Sequence, residues 1–394
     1  MHRLLLPFKQ SRLLNTIFLS NIFITFHYAL IIYVNSTFLN NFFSETQVSA
    51  LYIIGSIINT ILLIYASKIL EKIGIYKFAI YCILMEFLAT LGLAVSTTTF
   101  LIGLYFLIHL TTISLLFFNM DMFIEDVSKD DSLTGSIRAT YLTVANIVFV
   151  ISPSLVALLL FNNIYSFVYI ASCLFLIPLY YFFRRLKGVK NPVVQHIRIK
   201  ETLSEYIKNK NLYNIFISNF LLQLFYAYMV IYVPTYLHLE IYHIGFSWSE
   251  IGIMFTIMLL PFVFFELPVG EMADDKYGEK EFLTVGFIIM GLSTLFISFL
   301  TVKVFWIWAI LLFITRIGAS FVEISSESYF FKQVNPEKSD VISFFRITRP
   351  LSFIIAPLLA ILTLQFIPFQ YIFIIIGSLM ILGTKYSLAL NDTK

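Results

Sequence analysis

The chain has 394 residues, of which 59% are hydrophobic and only 12% charged, with a mean hydropathy of +0.88 and a formal net charge of +3. A water-soluble globular protein carries roughly a quarter charged residues, so the composition excludes one and points to an integral membrane protein. The two cysteines, Cys82 and Cys173, lie in apolar stretches with no motif spacing and suggest neither a disulfide framework nor a metal site.

Arg3, Lys9 and Arg12 precede an apolar run over about 13–39. It is far longer than the ~7–15 residues of a signal-peptide core and lacks an Ala-x-Ala cleavage site, so it is expected to be a retained first transmembrane helix. Segments of spanning length, roughly 20 residues, follow one another at about 14–38, 46–68, 76–96, 99–121, 138–161 and 165–183, and then at 212–236, 249–270, 282–302, 304–328, 344–365 and 368–388. Each must be helical, because lipid offers no partner for a free backbone amide or carbonyl. The expected fold class is therefore an all-α integral membrane protein of twelve transmembrane helices. The expected domains are a six-helix lobe over 1–183, a cytoplasmic linker over 184–211 and a second six-helix lobe over 212–394.

The loops after the odd-numbered segments hold one basic residue, Lys303, and Arg316 falls inside a segment; the other 24 of the 26 Lys and Arg lie at the opposite ends, in the linker or at the termini. The positive-inside rule puts both termini and the linker in the cytoplasm, and the expected location is a prokaryotic plasma (inner) membrane. The linker reads as a tether, with contact to anionic lipid as a secondary role. Its later part, about 197–212, mixes Leu203, Tyr206 and Ile207 with acids and lysines, the pattern of a short amphipathic helix along the membrane surface.

The two halves repeat one another. Ile17-Phe18-Leu19-Ser20-Asn21 recurs as Ile215-Phe216-Ile217-Ser218-Asn219, offset by 198 (219 − 21). Ser44-x-x-Gln47 recurs as Ser247-x-x-Glu250, offset by 203 (247 − 44), and Pro153 recurs as Pro357, offset by 204 (357 − 153). The same 204 relates two charged turns: Glu71, Lys72, Gly74 and Lys77 in the first half, and Gly270, Asp274, Asp275, Lys276, Gly278 and Lys280 in the second. Parallel repeats of six helices are one known transporter plan.

On the six-plus-six layout, the basic middle loop and this charged turn after the second helix of each half, the sequence resembles a major facilitator superfamily transporter along essentially its whole length. The resemblance implies two lobes related by pseudo-two-fold symmetry and transport by alternating access. It also implies that the acid of one lobe's turn meets the start of segment eleven or five of the other. That pairs Glu71 with Arg346 or Arg349, and Asp275 with Arg138, as a cytoplasmic latch, with Asp121 and Glu125 as further partners for Arg138 or Lys72. Ile151-Ser152-Pro153-Ser154 keeps only the proline of the family's antiporter motif.

Ionisable residues inside apolar segments are costly there and mark candidate sites. In segment ten Arg316, Ser320 and Glu323 share a helical face, with Glu327 beyond. The resemblance implies that segments one, four, seven and ten line the central cavity. The candidates there are His27 from segment one, His109, Thr112 and Asn119 from segment four, and Asn219, Gln223, Tyr226 and Tyr232 from segment seven. Glu323 is the proton-coupling candidate, with a packing pair to Arg316 as its plainer role. Glu86, midway along segment three, has no evident partner in this scheme, and Glu266 is expected to support the charged turn.

The function expected is a secondary active transporter of a small solute, with protons as a candidate coupling ion. The rival classes are a non-transporting sensor on the same fold and a membrane-embedded enzyme; the chain has no phosphate loop, His-Glu-x-x-His or Gly-x-Ser-x-Gly pattern. Expected partners are the solute and membrane lipid, with no nucleic acid, no cofactor and a monomeric state.

Overall fold

A computed structural model describes residues 12–128, 134–160, 163–187, 199–239, 244–273, 277–334 and 339–391. Among these residues all regular structure is helical. In the first half the helices are α1 (Arg12–Ile31), α2 (Asn35–Leu39), α3 (Glu45–Ile73), α4 (Ile75–Val95), α5 (Thr99–Ser128), α6 (Thr134–Leu159) and α7 (Tyr165–Arg185). A short α8 (Ile199–Lys208) precedes α9 (Lys210–Ile231), α10 (Val233–His238), α11 (Trp248–Met272), α12 (Glu279–Ile297), α13 (Phe305–Gln333), α14 (Ser339–Arg346), α15 (Thr348–Leu364) and α16 (Ile372–Leu388).

Eleven stretches are long and apolar enough to cross a membrane, and the shorter apolar stretch Thr143–Leu159 of α6 supplies the twelfth expected span. Two spans are broken. The first changes from α1 to α2 at residues 32–34, where the Val34 amide donates to the carbonyl of Ile31, three residues back, at 3.1 Å. The seventh changes from α9 to α10 at Tyr232, just before Pro234, which has no amide hydrogen to continue the ladder.

Helix ends explain two of the repeat's markers. Ser44 and Ser247 each cap a helix: the serine hydroxyl accepts from the backbone amide of Gln47 or Glu250, and that residue's side chain accepts from the serine amide. Each reciprocal pair satisfies two otherwise orphaned donors. The glycines of the charged turns are the other marker. Gly74 has φ 81° and Gly278 φ 87°, both with extended ψ, and each directly precedes the next helix. This region is essentially closed to residues with a Cβ. Gly278→Ala is therefore expected to cost on the order of 1–3 kcal/mol, read as a lower melting temperature in detergent. Gly270→Ala is the control, because a Cβ there meets Ile324 Cγ1 at 3.4 Å, an ordinary contact.

The chain divides into two compact units, Met1–Val194 and Gln195–Lys394. In the first, α1 packs on α6 and α7, α4 on α5 and α7, and α3 on α5. Leu14, Ile17, Phe18, Phe78, Ile83, Leu116, Phe123 and Phe183 belong to its core. In the second unit α12 lies against both α13 and α16, and glycines bring the backbones together. A Cβ on Gly318 would stand 2.6 Å from the Gly286 carbonyl, and one on Gly377 2.9 Å from the Gly291 carbonyl. Without a hydrophobic drive between helices in lipid, such close approach is a main source of association. Leu88, Leu158, Leu174, Leu292 and Leu362 stay exposed on the spans, as a lipid-facing surface requires.

The linker's amphipathic stretch is helical as α8, but its Tyr206 is buried against protein. The ring packs on Phe216 and Phe344, and the hydroxyl donates to the Val341 carbonyl at 2.8 Å. Leu203 and Ile207 are exposed.

Candidate functional site

Two polar clusters lie among the spanning helices, one in each unit. In the second unit α9 contributes Tyr226, whose hydroxyl donates to Glu323 Oε2 of α13 at 2.5 Å. Arg316 is 1% exposed. Its guanidinium lies over the rings of Phe225 and Tyr226, at 5.0 and 5.4 Å from their centroids. Tyr226 thus touches both Arg316 and Glu323. Arg316, Arg349 and Glu327 all act electrostatically on Glu323, and Glu266 of α11 acts on Tyr226. Glu266 is thus within electrostatic range of Tyr226. An intramembrane carboxylate was the signal for it, since such residues by default mark a site.

The other expected residues of this unit divide between site and scaffold. Ser320 donates to the Ile317 carbonyl of its own helix at 2.9 Å, so its hydroxyl is spent within α13. Asn219 donates to Thr348 Oγ1 at 2.8 Å, tying α9 to α15. Tyr232 is buried against Tyr228 and Phe369, and Gln223 is half-buried on the same helix as Tyr226.

In the first unit the unexplained Glu86 finds its partners. It is fully buried on α4 and pairs sideways with α1 and α5. His27 Nε2 lies 2.7 Å from Glu86 Oε1, and His109 Nδ1 lies 2.5 Å from the same oxygen. Thr112 donates to Oε2. Thr90 donates to Oε1 at 3.3 Å. Around them, Ser172 Oγ sits 2.7 Å from His27 Nδ1, Asn35 Nδ2 sits 3.5 Å from His109 Nε2, and Tyr169 donates to Asn35 Oδ1 at 2.8 Å. Three residues expected around a solute, His27, His109 and Thr112, are thus gathered on one carboxylate inside the unit. Asn119 is apart from them and donates to the Leu115 carbonyl of its own helix at 2.7 Å.

The residues of the expected latch are found as follows. Arg346 makes a two-pronged pair with Glu327, Nη1–Oε1 at 2.6 Å and Nη2–Oε2 at 3.2 Å, within its own unit. Arg349, Lys72, Lys77 and Asp121 are exposed, and Lys280 is half-buried. The turn's buried acid is Glu279, which pairs with Lys332 and accepts from Ser328 at 2.8 Å, so it braces α12 on α13. Asp274, Asp275 and Lys276 lie outside the described residues, as do the side chains of Glu71, Glu125 and Arg138.

No curated protein matches the chain. Among solved structures it is similar to the nucleoside transporter NupG, with a TM-score of 0.76 and 15% identity over 96% of this chain and 99% of that one. It is also similar to an auto-inhibited POT family peptide transporter, with a TM-score of 0.77 and 10% identity over 97% and 98%. At such identities the likeness shows the fold alone. The model of the Major Facilitator Superfamily matches residues 17–249 and again 239–390, one match for each half of the repeat. Twelve apolar spans, a doubled sequence and a doubled family match agree, and the chain belongs to the Major Facilitator Superfamily as an integral membrane protein with its transporter fold.

Proposed function

We propose that the protein is a secondary active transporter that moves a small polar solute by alternating access, with the solute handled around Tyr226, Arg316 and Glu323. The observation that carries this reading is the pairing of Tyr226 with Glu323 on spanning helices, beside a buried arginine. Polar groups so placed cost free energy unless they are satisfied, and a solute with both donors and acceptors suits a site that offers a carboxylate, a phenol and a guanidinium. The nucleoside and peptide transporters it resembles in fold are named for different cargoes, so neither cargo carries over, and the solute class is set by the site alone. Glu323 is the proposed proton carrier of this site.

The test is uptake of a panel of labelled polar solutes into proteoliposomes, with and without an imposed proton gradient. Tyr226→Phe removes a hydrogen bond to a charged group, worth about 1.5–3 kcal/mol. It is expected to slow uptake of the accepted solute by about tenfold or more. Glu323→Gln is expected to abolish the acceleration by the proton gradient. No uptake of any solute would sink the transporter reading, and unchanged gradient dependence in Glu323→Gln would sink the role of Glu323.

A further inference from the structure

We propose that His27, Glu86 and His109 form a buried binding site for one proton in the N-terminal unit, distinct from Glu323. The argument starts from charge. A carboxylate with two neutral imidazoles carries one net negative charge, and all three side chains are fully buried. Burying an uncompensated charge is unfavourable. One added cation removes that cost, and the contact lengths say which cation. His27 and His109 approach the same oxygen of Glu86 at 2.7 and 2.5 Å. The 2.7 Å contact of His27 has the length of a charge-assisted hydrogen bond. Two ligands on one metal, each about 2.0–2.2 Å from it, would stand farther apart.

The surrounding donors and acceptors show where the proton sits. Tyr169 donates to Asn35 Oδ1, so Asn35 turns its amide nitrogen toward His109 Nε2. That nitrogen accepts, and His109 is the neutral tautomer with its hydrogen on Nδ1, facing Glu86. His27 is different. Its Nε2 faces Glu86 and must carry a hydrogen, while its Nδ1 faces both the hydroxyl of Ser172 at 2.7 Å and the Ser172 carbonyl at 3.1 Å. Ser172 Oγ also lies 2.8 Å from the His27 carbonyl. Its single hydrogen has two homes.

When that hydrogen points to Nδ1, His27 is neutral and the cluster is anionic. When it turns to the His27 carbonyl, Nδ1 faces two acceptors and takes up the extra proton. His27 becomes imidazolium, and the cluster becomes net neutral. Loading therefore needs one hydroxyl rotation and no movement of heavier atoms. The remaining titratable neighbours are Cys82 on α4 and Cys173 on α7, both acted on by Glu86. Tyr52 of α3 lies beyond, acting on Tyr169.

The occupancy stands on this geometry; only its use in a transport cycle rests on the transporter reading. Nitrogen-15 NMR of the detergent-solubilised protein tests it directly. At neutral pH the His27 ring is expected to show two protonated nitrogens and His109 one, and in Glu86→Gln His27 is expected to revert to a neutral ring. If Glu86→Gln does not fold, Ser172→Ala takes away the hydroxyl hydrogen that a neutral His27 Nδ1 would accept and leaves the carbonyl at that position as acceptor; its His27 ring is expected to keep two protonated nitrogens, and a neutral ring there would overturn the proposal. A neutral His27 in the wild type, an unchanged ring in Glu86→Gln, or stoichiometric zinc binding lost in Glu86→Gln would overturn the proposal. In proteoliposomes, Glu86→Gln is expected to flatten the pH profile of uptake while Glu323 is intact. Absence of all uptake by the wild type would sink the transporter reading and leave the His27 result standing.

Discussion

Replacing Glu86 with alanine is expected to cost about 3–5 kcal/mol, the range for removing one member of a buried ion pair, and to lower the melting temperature in detergent more than any single surface change. The cost follows from what is left behind. His27 Nε2 and His109 Nδ1 both aim at the deleted carboxylate from fully buried rings, whereas the Thr112 hydroxyl keeps the Ile108 carbonyl at 2.8 Å. Each orphaned polar group carries its own desolvation penalty of about 1–3 kcal/mol. Glu86→Gln keeps an acceptor and most of the volume, so it should lose much less. A melting temperature for Glu86→Ala equal to that of the wild type would show that the cluster contributes nothing to the stability of the first unit.

The second large effect is expected at Gly318. A Cβ there would lie 2.5 Å from the Met290 amide nitrogen and 2.6 Å from the Gly286 carbonyl oxygen. Both are backbone atoms, so no side chain can swing aside; α13 must move away from α12. Overpacking of this kind typically costs 1–3 kcal/mol and occasionally more, and Gly318→Val adds two methyl groups to the clash. We expect about 3 kcal/mol or more, measured as loss of folded, monodisperse protein on heating. Gly103→Val is the matched control, because the nearest atom to a Cβ there is the tip of the Phe43 ring at 3.3 Å, a side chain that can give way. Equal heat resistance of Gly318→Val and the wild type would refute backbone contact between α12 and α13.

Much of this architecture is visible in apolar length alone. Spans must be helical in lipid, and their number and order follow from runs such as 76–96 and 282–302. The repeat was legible too, although its meaning was only partly so. Ser44 and Ser247 appear in the sequence as register marks, and the structure makes them helix caps. What the one-dimensional pattern lacks is lateral neighbourhood. Glu86, His27 and His109 sit on three helices far apart in the chain, and no periodicity says that α1 and α5 flank the same stretch of α4. Their helical phases became informative only once the packing was known. The same holds for Arg346, whose carboxylate partner, Glu327, lies on the preceding span of its own unit. The break in the first span had no proline to announce it, whereas Pro234 marks the seventh.

That first break has a mechanical meaning. Residues 32–34 separate His27, on the long arm α1, from Asn35, the opening residue of the short arm α2. His27 is held to Glu86, while Asn35 joins His109 to Tyr169. The interruption is thus a fulcrum with one end of the cluster on either side. A tilt of the short arm would draw the Asn35 amide away from His109, so the two arms of the first span reach the cluster through separate hydrogen bonds.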